Sequence, residues 1–330
     1  MASGVAPTWV EHIVRDHPYL LPFSTRFKHL QMSAFGPAVA LNAWQRWHGE
    51  ENHRQLRQDA GPLGRVVKRK CSIRRDRLLD TAAKVLDLFG SSANLLEFEF
   101  LDEVGTGLGP TLEFYAGVSQ AFTERKLGLW RDHSDGRHDK VHVFDPLGLF
   151  PAPLSKKTSA RKVLTLFEML GMFVAKSLVD GRLIDVPFNA LFFDLAVFEA
   201  SLPKRLSTLD KVDASLAKSM RALQAIYQKD PSEIDHLAID FTVPGYPDYS
   251  HSVFFFWHFL LVRDGKKLME KEQMEQETVT GESFPRFMAF VLEATLDEGV
   301  QLQVDAFRAG FNRVAPIQAL CAFPRLNCRA

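Results

Sequence analysis

The residues with the clearest chemical potential are three closely spaced glycines, Gly105, Gly107 and Gly109, in the run NLLEFEFLDEVGTGLGPTLEFY at 94–115. A glycine-rich turn between a strand and a helix can cradle a phosphate with backbone N–H groups, usually with a lysine nearby. The neighbouring residues argue against that chemistry. Pro110 removes a donor, no Gly-Lys-Ser/Thr follows, and Glu97, Glu99, Asp102 and Glu103 would repel a phosphate. The spacing also misses the dinucleotide fingerprint, which has two residues before its last glycine.

Other reactive types are sparse. Cys71, Cys321 and Cys328 are scattered without paired spacing, which suits a reducing compartment and excludes a disulfide framework or a CxxC site. His133, His138 and His142 fall in a turn-rich stretch without a cysteine or carboxylate arrangement to complete a metal site, so no metal and no cofactor is expected. The basic run Arg65 to Arg77 could mark nuclear import or nucleic acid. It lacks interleaved aromatics, and a solvated strand face is the better reading. Net charge is zero, which favours neither nucleic acid nor a membrane surface. The N-terminus has no signal-peptide pattern, and the most apolar run, 252–262, is far shorter than the roughly 20 residues of a membrane span. A cytoplasmic or nuclear protein is expected.

The elements that must position these residues follow from periodicity. With 330 residues, 46% of them hydrophobic, the chain can bury a large core, as two domains or one elongated one. Short helices are predicted over 1–49 and a polar linker over 49–64. A basic strand then leads into a helix at 75–88, with Gly90 as its left-handed cap. Leu96, Phe98 and Phe100 alternate with Glu97 and Glu99 as a strand. A helix follows from Thr111 to Phe122, with Glu113 in its first turn facing the dipole. A central buried helix, capped by Thr158 or Ser159, runs to Gly181, and Pro187 opens a second apolar helix through Phe198. Helical spacing continues from Leu209 to Ile226, then a strand at Leu237–Val243, a turn at Pro244–Gly245, and helices at Ser283–Gly299 and Val304–Val314.

The run EVGTGLGPTLEFY at 103–115 resembles the start of the HECT-type ubiquitin ligase domain, in the subgroup of the plant ubiquitin-protein ligases 3 and 4 and their animal and yeast relatives. Further pieces match in family order: LGLW at 127–130, FDPLGLF at 144–150, FVAKSLVDGR at 173–182, IDFTVPGY at 239–246, EGV at 298–300 and AFRAGF at 306–311. The resemblance implies an α+β, predominantly helical fold, a HECT N-lobe with a smaller subdomain that docks a ubiquitin-conjugating enzyme. Its divisions would be a helical lead-in and linker at 1–64, a large subdomain at 65–204, a docking subdomain at 205–300, return helices at 301–320 and a tail at 321–330. Gly105, Gly107, Gly109, Pro110 and Glu113 would then be scaffold.

By the same resemblance, conjugating-enzyme contacts fall on Leu216, Ser219, Met220, Leu223 and Ile226 of one helix, Leu237 and Ile239 of the next strand, and Phe287 and Val291 of a later helix. The apolar stripe, the alternating strand residues and the i, i+4 pair would line a groove for a partner's side chain. Met220 and Phe287 are the residues most expected to line it, whereas Leu223 and Ile239 could equally be core. In the family a Thr-Cys cysteine on a C-terminal lobe accepts ubiquitin as a thioester and passes it to a substrate lysine. None of the three cysteines has that context, so the resemblance implies an N-lobe truncated before its catalytic lobe, with the thioester cysteine beyond Ala330 and no catalytic residue here. Ubiquitin would arrive through the conjugating enzyme; the alternative is a non-catalytic binding module or decoy. The segment about 250–282 departs from the family pattern, with a SVFFFWHFLLV run and a charged tract, and suggests a retained intron or mis-joined gene.

Overall fold

The computed structural model describes residues 7–36 and 68–323, apart from 93, 102, 104, 106, 133–140, 155–159 and 251–277. The alternating run forms a strand, β2 (Leu95–Phe100), whose Leu96, Phe98 and Phe100 are buried while the residues between them are not. It pairs in parallel with β1 (Lys68–Ile73), Cys71 opposite Phe98 and Ile73 opposite Phe100. A parallel pair needs a crossover, here α3 (Leu78–Phe89), following the N-terminal helices α1 (Thr8–Asp16) and α2 (Phe23–Ser33). The basic run is the strand face expected: Cys71 and Ile73 point into the core, and Arg69 and Arg75 lie over the rings of Phe89 and Phe100.

Gly90 does not adopt the predicted left-handed conformation; its φ is −57°. The Phe89 carbonyl accepts from both the N–H and the Oγ of Ser92, so the helix end is satisfied without it. The next helix, α4 (Leu108–Phe122), starts one turn earlier than predicted, after Gly107 at φ +92°. Glu113 therefore lies beyond the first turn, and pairs with Arg75 at 2.5 Å instead of serving the helix dipole.

The central helix, α5 (Ala160–Asp180), is buried over most of its circumference, and its Thr158/Ser159 cap falls outside the described residues. It ends as predicted at Gly181, φ +63°, where Gly181 N–H donates to Leu178 O and Arg182 N–H to Ser177 O, the paired bonds of a Schellman motif. Helix α6 (Ala190–Phe198) is opened by Asn189, whose side chain accepts from Leu191 N–H; Pro187 stands ahead of the helix, and its carbonyl accepts from Leu149 N–H.

After the short α7 (Leu206–Leu209) comes α8 (Ala214–Lys229). The predicted strand at Leu237–Val243 forms only at its end: Leu237 closes a 3-10 helix, Pro231–Leu237, and Ala238 follows at φ +46°. Asp230 starts that turn by accepting from Ser232 N–H, a local bond that competes with strand formation. Only β3 (Thr242–Val243) remains, antiparallel to β4 (Tyr246–Ser250). The two predicted C-terminal helices are α9 (Phe284–Leu296) and α10 (Glu298–Asn312), divided at Asp297 rather than after Gly299. Helix α10 lies against α5 at close range. A Cβ on Gly171 or Gly310 would run into the backbone of the facing helix, at Phe307 O and Glu168 O.

Helices α1 and α2 pack on the 3-10 turn Ile317–Ala322, with Phe23 against Phe323 at 5.6 Å and Arg26 donating to Ala322 O at 3.4 Å. Among the described residues the fold is predominantly helical with two small two-stranded sheets, over one contiguous core that includes Leu30 and Phe35. The predicted linker at 49–64 lies outside the described residues, as does most of the atypical 250–282 segment.

Candidate functional site

Helix α8 carries most of the residues expected to meet a partner. Asp213 opens it: Oδ1 accepts from Leu216 N–H at 2.7 Å, satisfying one of the free donors of the first turn. The expected residues then divide by depth. Leu216 (6% exposed), Met220 (2%), Phe287 (0%) and Val291 (0%) are core, offering a partner no surface in this structure. Phe241 meets the Phe287 ring edge-on at 5.5 Å, which accounts for the closure. Leu223, Ile226 and Ile239 are half-buried, Ser219 is exposed and Leu237 is 43% exposed. Helix α8 packs against the 3-10 turn that carries Leu237, so these outer residues belong to adjoining elements. The left-handed Ala238 separates Leu237, at the surface, from Ile239, half-buried and packed on the core.

The glycine-rich turn is tied to the strand and helix on either side of it. Thr111 is buried, and its Oγ1 donates to Gly107 O at 2.8 Å and accepts from Phe98 N–H at 3.0 Å, tying turn, strand and helix together. Glu97 stands beside this turn, with Leu108, Thr111 and Arg182 around a small hollow.

Cys71 is buried in β1, and burial pushes its thiol pKa up, against the opposing pull of Arg69 and Lys176; Cys321 is half-buried beside Val197 O. Cys328 lies outside the described residues, as do His133 and His138. Among the described residues no group of three or more His, Cys, Asp or Glu could hold a metal, and no helix is long and apolar enough to cross a membrane.

Sequence reasoning missed two buried ionic centres. In α5, Lys176 and Asp180 pair at 3.0 Å with both side chains fully buried. Lys176 Nζ donates to Ser92 O and Asn94 O, and Asp180 Oδ2 accepts from Tyr115 OH at 2.8 Å. Burial raises the Asp180 pKa, with Lys176 opposing, and raises that of Tyr115 well above its usual value. The second centre joins Arg131 Nη2 to Asp213 Oδ2 at 2.8 Å, both side chains buried. The signal for the first was a Lys/Asp pair at i, i+4 within an otherwise apolar helix; the second, between residues far apart in the chain, had none.

A family model described as HECT-domain (ubiquitin-transferase) matches residues 117–327. The chain is 32% identical to E3 ubiquitin-protein ligase UPL3 of Arabidopsis thaliana, over 98% of this chain and 18% of that protein. It is 32% identical to ubiquitin fusion degradation protein 4 of Saccharomyces cerevisiae, over 95% of this chain and 21% of the relative. Against E3 ubiquitin-protein ligase TRIP12 of Danio rerio the figures are 30%, 97% and 16%. The chain thus spans about a fifth of the length of these relatives.

Proposed function

The chain belongs to the HECT-domain (ubiquitin-transferase) family, and from that premise we propose that it supplies the surface on which a ubiquitin-conjugating enzyme docks during ubiquitin transfer to substrate lysines. The docking unit in this reading is 205–300, carried on a large unit at 65–204 and returned to it by 301–320. Its contact residues are Ser219, Leu223, Ile226, Leu237 and Ile239; Leu216, Met220, Phe287 and Val291 hold them from beneath. The observation that carries the reading is Leu237, a large apolar side chain left at the surface beside a half-buried apolar rim.

Transfer in the family sense has two steps. A ligase thiolate attacks the carbonyl of the ubiquitin thioester on the conjugating enzyme, whose thiolate leaves. A substrate amine then attacks the new thioester, the ligase thiolate leaves, and the amine loses its proton. We assign neither nucleophilic role to Cys71, Cys321 or Cys328, so residues 1–330 receive the charged conjugating enzyme, with its ubiquitin, without taking the ubiquitin over. The buried, pKa-raised Cys71 supports this reading. A protein of the cytoplasm or nucleus fits it.

The test incubates the chain with activating enzyme, a panel of conjugating enzymes and ubiquitin, followed by non-reducing gels and binding measurements. Binding without a thiol-sensitive adduct is the expected result. An adduct on this chain overturns the assignment of the cysteines. Leu237→Ala is expected to weaken binding by about 2 kcal/mol, and unchanged affinity would remove Leu237 from the surface.

A further inference from the structure

The buried pair Arg131–Asp213 lies where three separate elements meet. Arg131 follows Trp130, whose indole N–H donates to Phe122 O at the end of α4, and its own N–H donates to Phe150 O, so its backbone is fixed in the large helical body. Its guanidinium reaches Asp213, the residue that opens α8. Tyr246, at the start of β4, lays its ring over the same guanidinium at 5.0 Å. Nearby, the buried Asn189 at the mouth of α6 donates from Nδ2 to Leu147 O and to Lys211 O, both at 2.8 Å, holding the turn before α8 to the same body.

Asp213 therefore does two jobs with two oxygens. Oδ1 caps α8 and Oδ2 binds a cation rooted in another part of the fold. Capping needs no charge, and asparagine would cap as well. The charge pair adds direction. Tilting α8 away from the body would leave a guanidinium and a carboxylate unpaired in a dry environment, which is strongly disfavoured, so one arrangement is selected over its neighbours. Apolar packing alone is less discriminating, because it tolerates small rotations and shifts. Both α8 and the β3–β4 hairpin are gripped at this point, and both belong to the unit assigned to docking.

We propose that Arg131 and Asp213 are positioning residues that set the angle at which the docking surface is presented, and with it the placement of the thioester carried by a docked conjugating enzyme. The second half rests on the function proposed above; the first half does not.

The experiment compares wild type with the double variant Arg131→Met/Asp213→Asn, which keeps the helix cap and replaces the charge pair by a side chain of similar length and a neutral amide. Labels carried by unnatural amino acids at the exposed positions Lys84 of α3 and Lys218 of α8 report the distance distribution between body and docking helix. The double variant is expected to melt cooperatively near the wild-type temperature, because replacing a buried pair on both sides is often neutral. Its distance distribution should broaden about twofold, and its affinity for the conjugating enzyme should fall several-fold. Arg131→Lys, which keeps the cation but loses the planar fork over Tyr246, should give an intermediate width and serves if the double variant fails to fold. Wild-type width in either folded variant overturns the proposal. Broadening in a chain that binds no conjugating enzyme would leave the latch standing and remove the docking function; binding with unchanged width would do the reverse.

Discussion

The family resemblance groups Leu237 with Phe287, yet Leu237 lies at the surface and Phe287 in the core. Phe287→Ala should cost about 3–5 kcal/mol of folding stability by opening a cavity against Phe241, seen as a lowered melting temperature. Leu237→Ala should leave the melt within about 0.5 kcal/mol of wild type, so that its effect appears in binding alone. Thr111 offers a sharper test of the turn. Thr111→Val keeps the shape but strands the buried Phe98 N–H, at a cost of about 1–3 kcal/mol readable by denaturant unfolding. Tyr249 provides the pH dependence. Burial pushes its pKa up from 10.0 to about 12, with Glu298 and Glu293 adding to the shift. A raised folded-state pKa means stability that is whole below pH 10 and is lost as pH rises toward 12. Tyr249→Phe should flatten that part of the alkaline unfolding curve, and an unchanged curve would show that the phenol ionises freely. These differences in depth were not visible in the chain, because periodicity identifies the apolar face of an element but not whether a neighbour closes over it.

At the scale of elements, the glycine pair that lets α5 and α10 meet is the most sensitive joint. Gly310→Ala places a methyl group against the Glu168 carbonyl, and the helices must part or bend; a loss of at least about 1–3 kcal/mol is expected, measured by thermal or denaturant melts. The same alanine at Gly109, where an added Cβ meets nothing, should be close to neutral. The elements also show where local reading succeeds. β2 and α5 were legible because their periods are strong and agree with their burial. The stretch 237–243 reads as a strand but is not one before Thr242, because Asp230 and Pro231 start a 3-10 turn that runs through Leu237 and Ala238 accepts a left-handed conformation, two local events that outweigh an alternating pattern only a few residues long. The division between the last two helices was read, but the break falls at Asp297, two residues ahead of the Gly299 that the sequence offers as a helix end.

Across the whole molecule, the N-terminal helices belong to the same core as the family-matched region. Leu30 and Phe35 are buried in it, and α2 sits on the 317–322 turn. Leu30→Ala should therefore lower the stability of the whole chain by about 2–5 kcal/mol within a single cooperative transition; a separate early transition would instead show the N-terminal helices melting on their own. The sequence by itself determined the family, the helical class and the central helix with its Gly181 end. These depend on residue identity, local spacing and the charge of near neighbours, all of which act over a few residues. Only the tertiary structure decided which apolar residues of the expected docking surface remain open, that Lys176 meets Asp180 beneath Tyr115, and that Arg131 reaches Asp213. Those outcomes depend on which distant segments are brought together, and the cost of leaving a buried charge or donor unpaired is settled only once the whole chain has closed around it.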